Sequence, residues 1–328
     1  MNPPLRNFGL DLARCTEAAA LASARWMGRG QLDEADCDAA DAMAQTLNTL
    51  DIRGRVVIGE EGKLGRHSAL DSGALIGSGE GVDVDIVVDP IDGRRRLALG
   101  YSDAISVIGL APRGSMWAPA PALYMEKIVV DRAAAAALVP ECLDAPAAWT
   151  LALVARVKQK RVSDLVVFVL DRPRHADLVQ EIRAAGARVL MRSDGDIAGA
   201  LMAAYPDSGV DVLLGIGGVG EGVIAACAIK ALGARMVGRL APQSEREKSE
   251  VLAAGLDIQR ILSSDEMVQS DQIFFAATGI TDGGLLNGVK FHGHEADTHS
   301  LVLRAETGTR RTIQTTHRLH WPDEYHEL

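Results

Sequence analysis

The chain has 328 residues, 48% hydrophobic and only 4% aromatic, with a formal charge of −10 and a pI near 5.3. That length allows one large domain or two modest ones, and an Ala- and Gly-rich apolar set favours helices packed closely on sheets over an aromatic-rich sandwich. An acidic chain with no long Lys/Arg run is a poor partner for nucleic acid, and its apolar runs fall short of the ~20 residues of a spanning helix, which argues against a membrane protein. Residues 1–14 mix Arg, Asp and Pro with apolar residues and lack the apolar centre of a secretory signal. Cys15, Cys37, Cys142 and Cys227 are scattered with no CxxC pair, the usage of free thiols in a reducing cytoplasm.

Small apolar residues at helical spacing predict a helix over residues 10–27. A second is predicted over 33–50, acidic in its first turn, as the helix dipole prefers. Residues 55–58 read as a short strand running into the turn Gly59-Glu60-Glu61-Gly62. Residues 82–88 alternate Val and Ile with Asp, then turn fully apolar, and predict a strand ended by Asp89-Pro90. Residues 104–110 and 124–130 read as further strands of the same sheet. The pattern then alternates, with strands at 165–170, 188–191 and 210–215 and helices at 176–185, 196–204 and 221–232. This is the spacing of parallel strands joined by right-handed crossovers. Strands at 272–277, 300–305 and 311–316 follow, and a soft boundary falls near residues 140–146, where Pro, Ala and Asp accumulate.

The sharpest chemical signal is Asp89-Pro90-Ile91-Asp92-Gly93, directly after an apolar strand. Two carboxylates at a strand's carboxyl end, with a backbone carbonyl between them, suit a hard cation such as Mg²⁺ or Mn²⁺. An ordinary acidic turn is the plainer alternative. Glu60-Glu61 sits after another short strand, and Asp33, Asp36 and Asp38 lie near the start of the second helix, where capping alone would explain them. Three acidic clusters in the first hundred residues, two of them at strand ends, are the materials of a multi-cation phosphate site.

In the second half, Asp171-Arg172-Pro173-Arg174-His175 follows a strand and opens a helix, suiting phosphate. Asp194-Gly195-Asp196 offers carboxylates for sugar hydroxyls. The Gly-rich run from Gly215 to Gly220 precedes a helix but ends in Glu221, unlike a dinucleotide turn. His292, His294 and His299 flank a turn without a companion Cys, which is weak support for a metal. Arg94-Arg95-Arg96 reads either as a phosphate contact or as a solvated charge run.

Ordered segments along nearly the whole chain resemble the class II fructose-1,6-bisphosphatases of the lithium-sensitive, metal-dependent phosphatase superfamily. They include Trp26-Met27-Gly28-Arg29-Gly30, Val57-Ile58-Gly59-Glu60, Asp89-Pro90-Ile91, Tyr124-Met125-Glu126-Lys127, Arg172-Pro173-Arg174-His175, Asp194-Gly195-Asp196, Gly215-Ile216-Gly217-Gly218 and Thr278-Gly279-Ile280-Thr281. The resemblance implies a layered α/β/α/β/α fold with two mixed sheets. It implies hydrolysis of the 1-phosphate of fructose 1,6-bisphosphate to fructose 6-phosphate and phosphate, in gluconeogenesis or Calvin-type carbon metabolism, with sedoheptulose 1,7-bisphosphate as a second substrate. Residues 1–145 would form a metal-binding half and 146–328 a sugar-phosphate-binding half of one compact catalytic unit, working in the cytoplasm as a homo-oligomer.

Carried over by position, the ligands of Mg²⁺ or Mn²⁺ would be Asp36, Glu60, Asp89, Asp92 and Glu221, the last four also forming the catalytic set. Sugar-phosphate contacts would come from Asp92, Gly93, Arg94, Tyr124, Arg172, Pro173, Arg174, Asp194, Gly195, Asp196 and Gly218. Glu61 remains an alternative to Glu60, because a residue is inserted nearby. Four departures from the family pattern stand out. Asp92 replaces a Glu, Arg94 replaces a water-orienting Thr or Ser, Leu32 replaces a Lys, and the stretch from Gly62 to Leu70 replaces an acidic loop. They leave the expected metal ligands but remove parts of the machinery that activates water. A chain that binds sugar phosphate or a partner subunit without turnover is therefore the second expectation. Arg94 is expected either against the scissile phosphate or in solvent with Arg95 and Arg96.

Overall fold

The structure is a computed structural model that describes residues 6–61 and 67–319, so the part of the altered loop from Gly62 to Arg66 lies outside the described residues. Helices α1 (Gly9–Ala24) and α2 (Leu32–Leu47) open it, each starting one residue before its predicted position. Then come β1 (Ile52–Ile58), the short β2 (Leu75–Ile76), β3 (Val82–Asp92), a single-turn helix α3 (Arg94–Ala98), β4 (Ile105–Pro112) and β5 (Tyr124–Val130). The alternating region comprises α4 (Ala147–Lys158), β6 (Val166–Leu170), α5 (Ala176–Ala184), β7 (Arg188–Arg192), α6 (Asp196–Ala204), β8 (Val212–Gly218) and α7 (Val219–Ala231). After it run β9 (Arg235–Leu240), α8 (Glu245–Ala253), β10 (Leu262–Ser263), α9 (Ser264–Met267), β11 (Phe274–Gly279), β12 (Lys290–His292), β13 (Glu295–Arg304) and β14 (Thr309–Arg318).

These strands form two mixed sheets. One has eight strands in the order β12-β13-β11-β4-β3-β1-β2, with β14 also paired to β13; the other has six, ordered β10-β9-β5-β8-β6-β7. Three apolar cores separate five layers. The α1/α2 pair packs its Ala-rich face, including Ala19, Ala39 and Met43, on Ile86, Val88 and Ile108 of the first sheet. Helices α6 and α7 fill the space between the sheets, touching Val87 and Val107 on one side and Met125, Phe168 and Leu213 on the other. Helices α4 and α5 cover the outer face of the second sheet through Leu151, Val154, Val179 and Ile182. The result is α/β/α/β/α, as the family resemblance implies. Small side chains suit α6 and α7, which must be apolar all round between two sheets. Their stretches Ala198–Ala204 and Gly222–Ile229 are buried without interruption.

One assignment is corrected. β5 does not join β4 in the first sheet; it lies in the second, between β8 and β9 and antiparallel to both. A central strand covered on both faces reads as apolar whichever sheet it occupies, so the sequence pattern carries no information on the choice.

Candidate active site

The chemistry-bearing turns gather where strands of the two sheets end. β3 does not stop at Asp89-Pro90, as the sequence suggests, but continues to Asp92. Its pairing with β4 slips on the way, Asp89 facing Val107 and Asp92 facing Ile105. Three steps on one strand against two on its partner is a bulge of one residue. Pro90 sits inside it, where its missing N–H breaks no regular ladder bond. In an unbroken strand residues three apart face opposite sides, and the extra residue returns Asp92 to the side of Asp89. Asp89 Oδ1 accepts the Ile91 N–H at 3.2 Å, which tightens the bulge. Asp92 Oδ2 accepts the Ala198 N–H of α6 at 2.7 Å. Burial and the nearby Asp89 charge push the Asp92 carboxyl well above the usual carboxylate range, against the Ala198 hydrogen bond that favours its ionised form.

β1 runs parallel to β3, with Ile58 opposite Val87, so the residues beyond Ile58 emerge beside Asp89. Gly59 lets the chain pass there: a Cβ at this position would lie 1.8 Å from the Leu70 carbonyl oxygen. Glu60 then turns inward and is only 2% exposed. Glu61 turns out, where its carboxylate accepts the Ser72 N–H at 3.0 Å and the Ser72 hydroxyl at 2.6 Å. Of the two glutamates, Glu60 has the ligand-like placement.

Gly93, with φ at 96°, reverses the chain into α3, and the three arginines that follow diverge. Arg94 does not swing out to solvent with Arg95. Its Nη2 forms an ion pair with the buried Asp36 of α2 and lies 3.4 Å from Asp33 Oδ1. The Arg95 backbone N–H donates to Asp194 Oδ2 at 3.2 Å. Arg96 is buried, its Nε donating to the Ser102 carbonyl at 2.5 Å. The reading of a solvated charge run is thereby corrected: successive residues of a helical turn point about 100° apart, so one run serves three surroundings.

The second sheet brings its own set to its strand ends. β6, β7 and β8 are parallel, and their carboxyl ends lead into Arg172–Arg174, Asp194–Asp196 and Glu221 respectively. β5 is antiparallel to β8, which places Tyr124 opposite Gly218 at the same end. Arg172 Nη1 donates to the Ser193 carbonyl at 2.5 Å, and Arg174 donates from Nε and Nη2 to the Ile216 carbonyl at 3.2 and 2.8 Å. The Arg174 guanidinium also lies 5.1 Å from the Tyr124 ring centre. Each arginine retains N–H donors beyond these bonds. Pro173 opens a short 3-10 turn ending at His175, whose Nδ1 donates to the Leu170 carbonyl at 2.6 Å while Nε2 accepts the Ile216 N–H at 2.8 Å. Those partners require the neutral ring, and burial pushes the His175 pKa down, so this imidazole ties β6 to β8.

The Gly-rich run is not a loop: β8 extends through Gly218, and α7 begins at Val219. Its glycines make room for carboxylates. A Cβ on Gly218 would stand 1.7 Å from Glu221 Oε2, and one on Gly217 would stand 1.9 Å from Asp196 Oδ2. Gly220 packs against Ile58, bringing the first turn of α7 to the end of β1.

The same order of motifs is found in known proteins. A family profile described as "Bacterial fructose-1,6-bisphosphatase, glpX-encoded" matches residues 6–317. The chain belongs to this family. It is 38% identical over 327 residues to "Fructose-1,6-bisphosphatase 1 class 2" of Escherichia coli strain K12, covering 96% of each sequence. Identity and coverage are the same for "Fructose-1,6-bisphosphatase class 2" of Shigella flexneri.

Asp36, Glu60, Asp89 and Asp92 are 2%, 2%, 3% and 4% exposed, an all-oxygen set that fits a hard divalent cation. Among the described residues no three such side chains are drawn into a closed ligand cluster. Repulsion between buried carboxylates opposes such closure, and Asp36 is met by Arg94 instead.

Two supporting residues receive no role from the sequence, although Lys127 lies in the Tyr124–Lys127 segment. Lys127, 1% exposed, places Nζ 2.5 Å from Asp196 Oδ2. Its signal was a lone Lys in an apolar strand. Glu247 of α8 accepts the N–H groups of Leu123, Tyr124 and Gln243 at 2.9, 3.2 and 2.8 Å, fixing the chain at Tyr124. A Glu in a charged surface helix carries no such signal.

Proposed function

We propose that this chain hydrolyses the 1-phosphate of fructose 1,6-bisphosphate, with sedoheptulose 1,7-bisphosphate as a further substrate, using Mg²⁺ or Mn²⁺. The observation that carries this reading is the family match over residues 6–317. In this reading Glu60, Asp89, Asp92 and Glu221 hold the cation, which supplies charge neutralisation at the phosphoryl oxygens and activation of water. The remaining steps belong to the chain. The Ala198 N–H fixes Asp92, and the bulge fixes Asp89. Arg172 and Arg174 grip the phosphate that is not cleaved, held in place by the Ser193 and Ile216 carbonyls. Tyr124 and the Asp194–Asp196 turn, with Gly93 and Gly218 backbone beside them, bind the sugar. Residues 1–145 and 146–328 act as the metal and sugar-phosphate halves of one catalytic unit, in a cytoplasmic homo-oligomer. The buried Cys15 and Cys227, their thiols pushed up to about 12 by burial, suit a reducing compartment. Among the described residues no helix is long and apolar enough to cross a membrane.

Phosphate release from the purified chain with Mn²⁺, on both bisphosphates, tests the proposal. Release above a metal-free blank is expected; its absence on both substrates sinks it. The Arg94–Asp36 pair favours a second reading, binding without turnover. Calorimetry with the bisphosphate separates the two, since tight binding without phosphate release selects the second.

The placement of Arg174 gives a further expected result. Losing a charge-assisted hydrogen bond to phosphate costs about 1.5–3 kcal/mol, or roughly ten- to a hundredfold in kcat/KM. Arg174→Ala should show that loss on a bisphosphate and far less on a small monophosphate. Equal losses on the two would place Arg174 at the reacting phosphate or in folding alone.

A further inference from the structure

The Arg94–Asp36 pair has a property beyond its contribution to folding. Asp36 is 2% exposed and sits in the first half of α2, on the side that meets α3. Arg94 reaches it from the first position of α3, and the same Nη2 lies 3.4 Å from the exposed Asp33. The guanidinium is itself largely enclosed, with a side-chain exposure of 26% and an Nε buried with no hydrogen-bond acceptor among the described residues. Its base is fixed from several directions. The Gly28 and Gly30 N–H groups donate to the Leu97 and Ala98 carbonyls of α3 at 2.9 and 3.0 Å, and the Tyr101 N–H donates to the Arg96 carbonyl at 2.7 Å. Arg96 anchors the other flank through Ser102. The helical turn that carries Arg94 is therefore held against the loop after α1, and its charge is directed at α2.

A guanidinium stays charged at any ordinary pH, and a divalent cation on the same carboxylate would repel it strongly in an enclosed site. We infer that Arg94 is a tethered cation occupying the Asp36 position, so that this chain binds one divalent cation fewer than its acidic side chains would hold without it. The inference rests on reading the strand-end carboxylates as cation ligands. It assigns Asp36 to Arg94.

Counting Mn²⁺ bound per chain at saturation, by equilibrium dialysis with magnetic-resonance detection of free Mn²⁺, tests it without reference to turnover. Arg94→Thr should bind one Mn²⁺ more than the parent, and Asp36→Asn added to that variant should return the count to the parent value. Asp36→Asn alone should leave the parent count unchanged. Arg94→Lys, which keeps the charge, should also keep the parent count. Melting curves should show Mn²⁺ raising the Tm of Arg94→Thr more than that of the parent. Equal counts in the parent and Arg94→Thr, or loss of one Mn²⁺ on Asp36→Asn alone, overturn the inference and leave the metal reading intact. Should Arg94→Thr fail to fold, the Asp36→Asn and Arg94→Lys counts still decide. Mn²⁺ bound by none of the four chains overturns the metal reading and the inference with it.

Discussion

Asp89→Asn is expected to lower Mn²⁺-dependent kcat/KM for fructose 1,6-bisphosphate by roughly a thousandfold, about 4 kcal/mol of barrier. The substitution is informative because it spares the local structure. An Asn Oδ1 can still accept the Ile91 N–H now at 3.2 Å, so the bulge that aligns residues 89 and 92 should persist. What disappears is one buried negative charge among hard-oxygen donors, the property that attracts a divalent cation. Removing it also relieves the push that Asp89 exerts on the Asp92 carboxyl, which should then ionise more readily. Cation affinity should fall alongside turnover, while the far-ultraviolet circular dichroism stays that of the parent. Parent-like turnover and Mn²⁺ affinity in the variant would remove Asp89 from the ligand set.

Local features of this site were legible in the sequence; their pairings across the fold were not. Asp89-Pro90-Ile91-Asp92 announced two carboxylates near a strand end. The bulge that turns them to one side depends on the register with β4, a partner the segment does not encode. Glu60 and Glu61 were indistinguishable until Leu70 and Ser72 were seen to sort one inward and one outward. For Arg94 the sequence offers phosphate or solvent as surroundings. The actual partner, Asp36, lies on another helix, where its position in the early part of α2 had a sufficient explanation in the helix dipole. Elements were missed for similar reasons. α4 follows the Pro-rich stretch that reads as a boundary, while the exposed, charge-rich α8 lacks a wide apolar face. β9 is only six residues long and carries Arg at positions one and five, which masks its burial between β10 and β5.

Lys127→Met should be the most damaging single change to stability near the site, costing about 3–5 kcal/mol, because it removes one partner of a buried ion pair. Lys127 is 1% exposed and Asp196 is 7% exposed, with Nζ and Oδ2 2.5 Å apart. Both charged atoms crowd the space above Gly217: a Cβ built there would lie 1.9 Å from Asp196 Oδ2 and 2.6 Å from Lys127 Nζ. Met preserves most of the lysine stem, so the loss should be that of the ammonium and not of packing. The stranded Asp196 carboxylate would retain the favourable field at the start of α6 and the attraction of the Arg174 charge. That start also carries the Ala198 N–H that holds Asp92, so a shift of α6 to rehydrate Asp196 should disturb the proposed metal ligand as well. Asp196→Asn placed in the Lys127→Met chain removes the stranded charge and should recover part of the stability, giving a coupling of about 2 kcal/mol in a double-mutant cycle. Denaturant midpoints of the parent, the two single variants and the double variant measure this directly. A loss below about 1 kcal/mol for Lys127→Met, or strictly additive effects, would show that the pair is not coupled and that α6 is held by its apolar contacts alone.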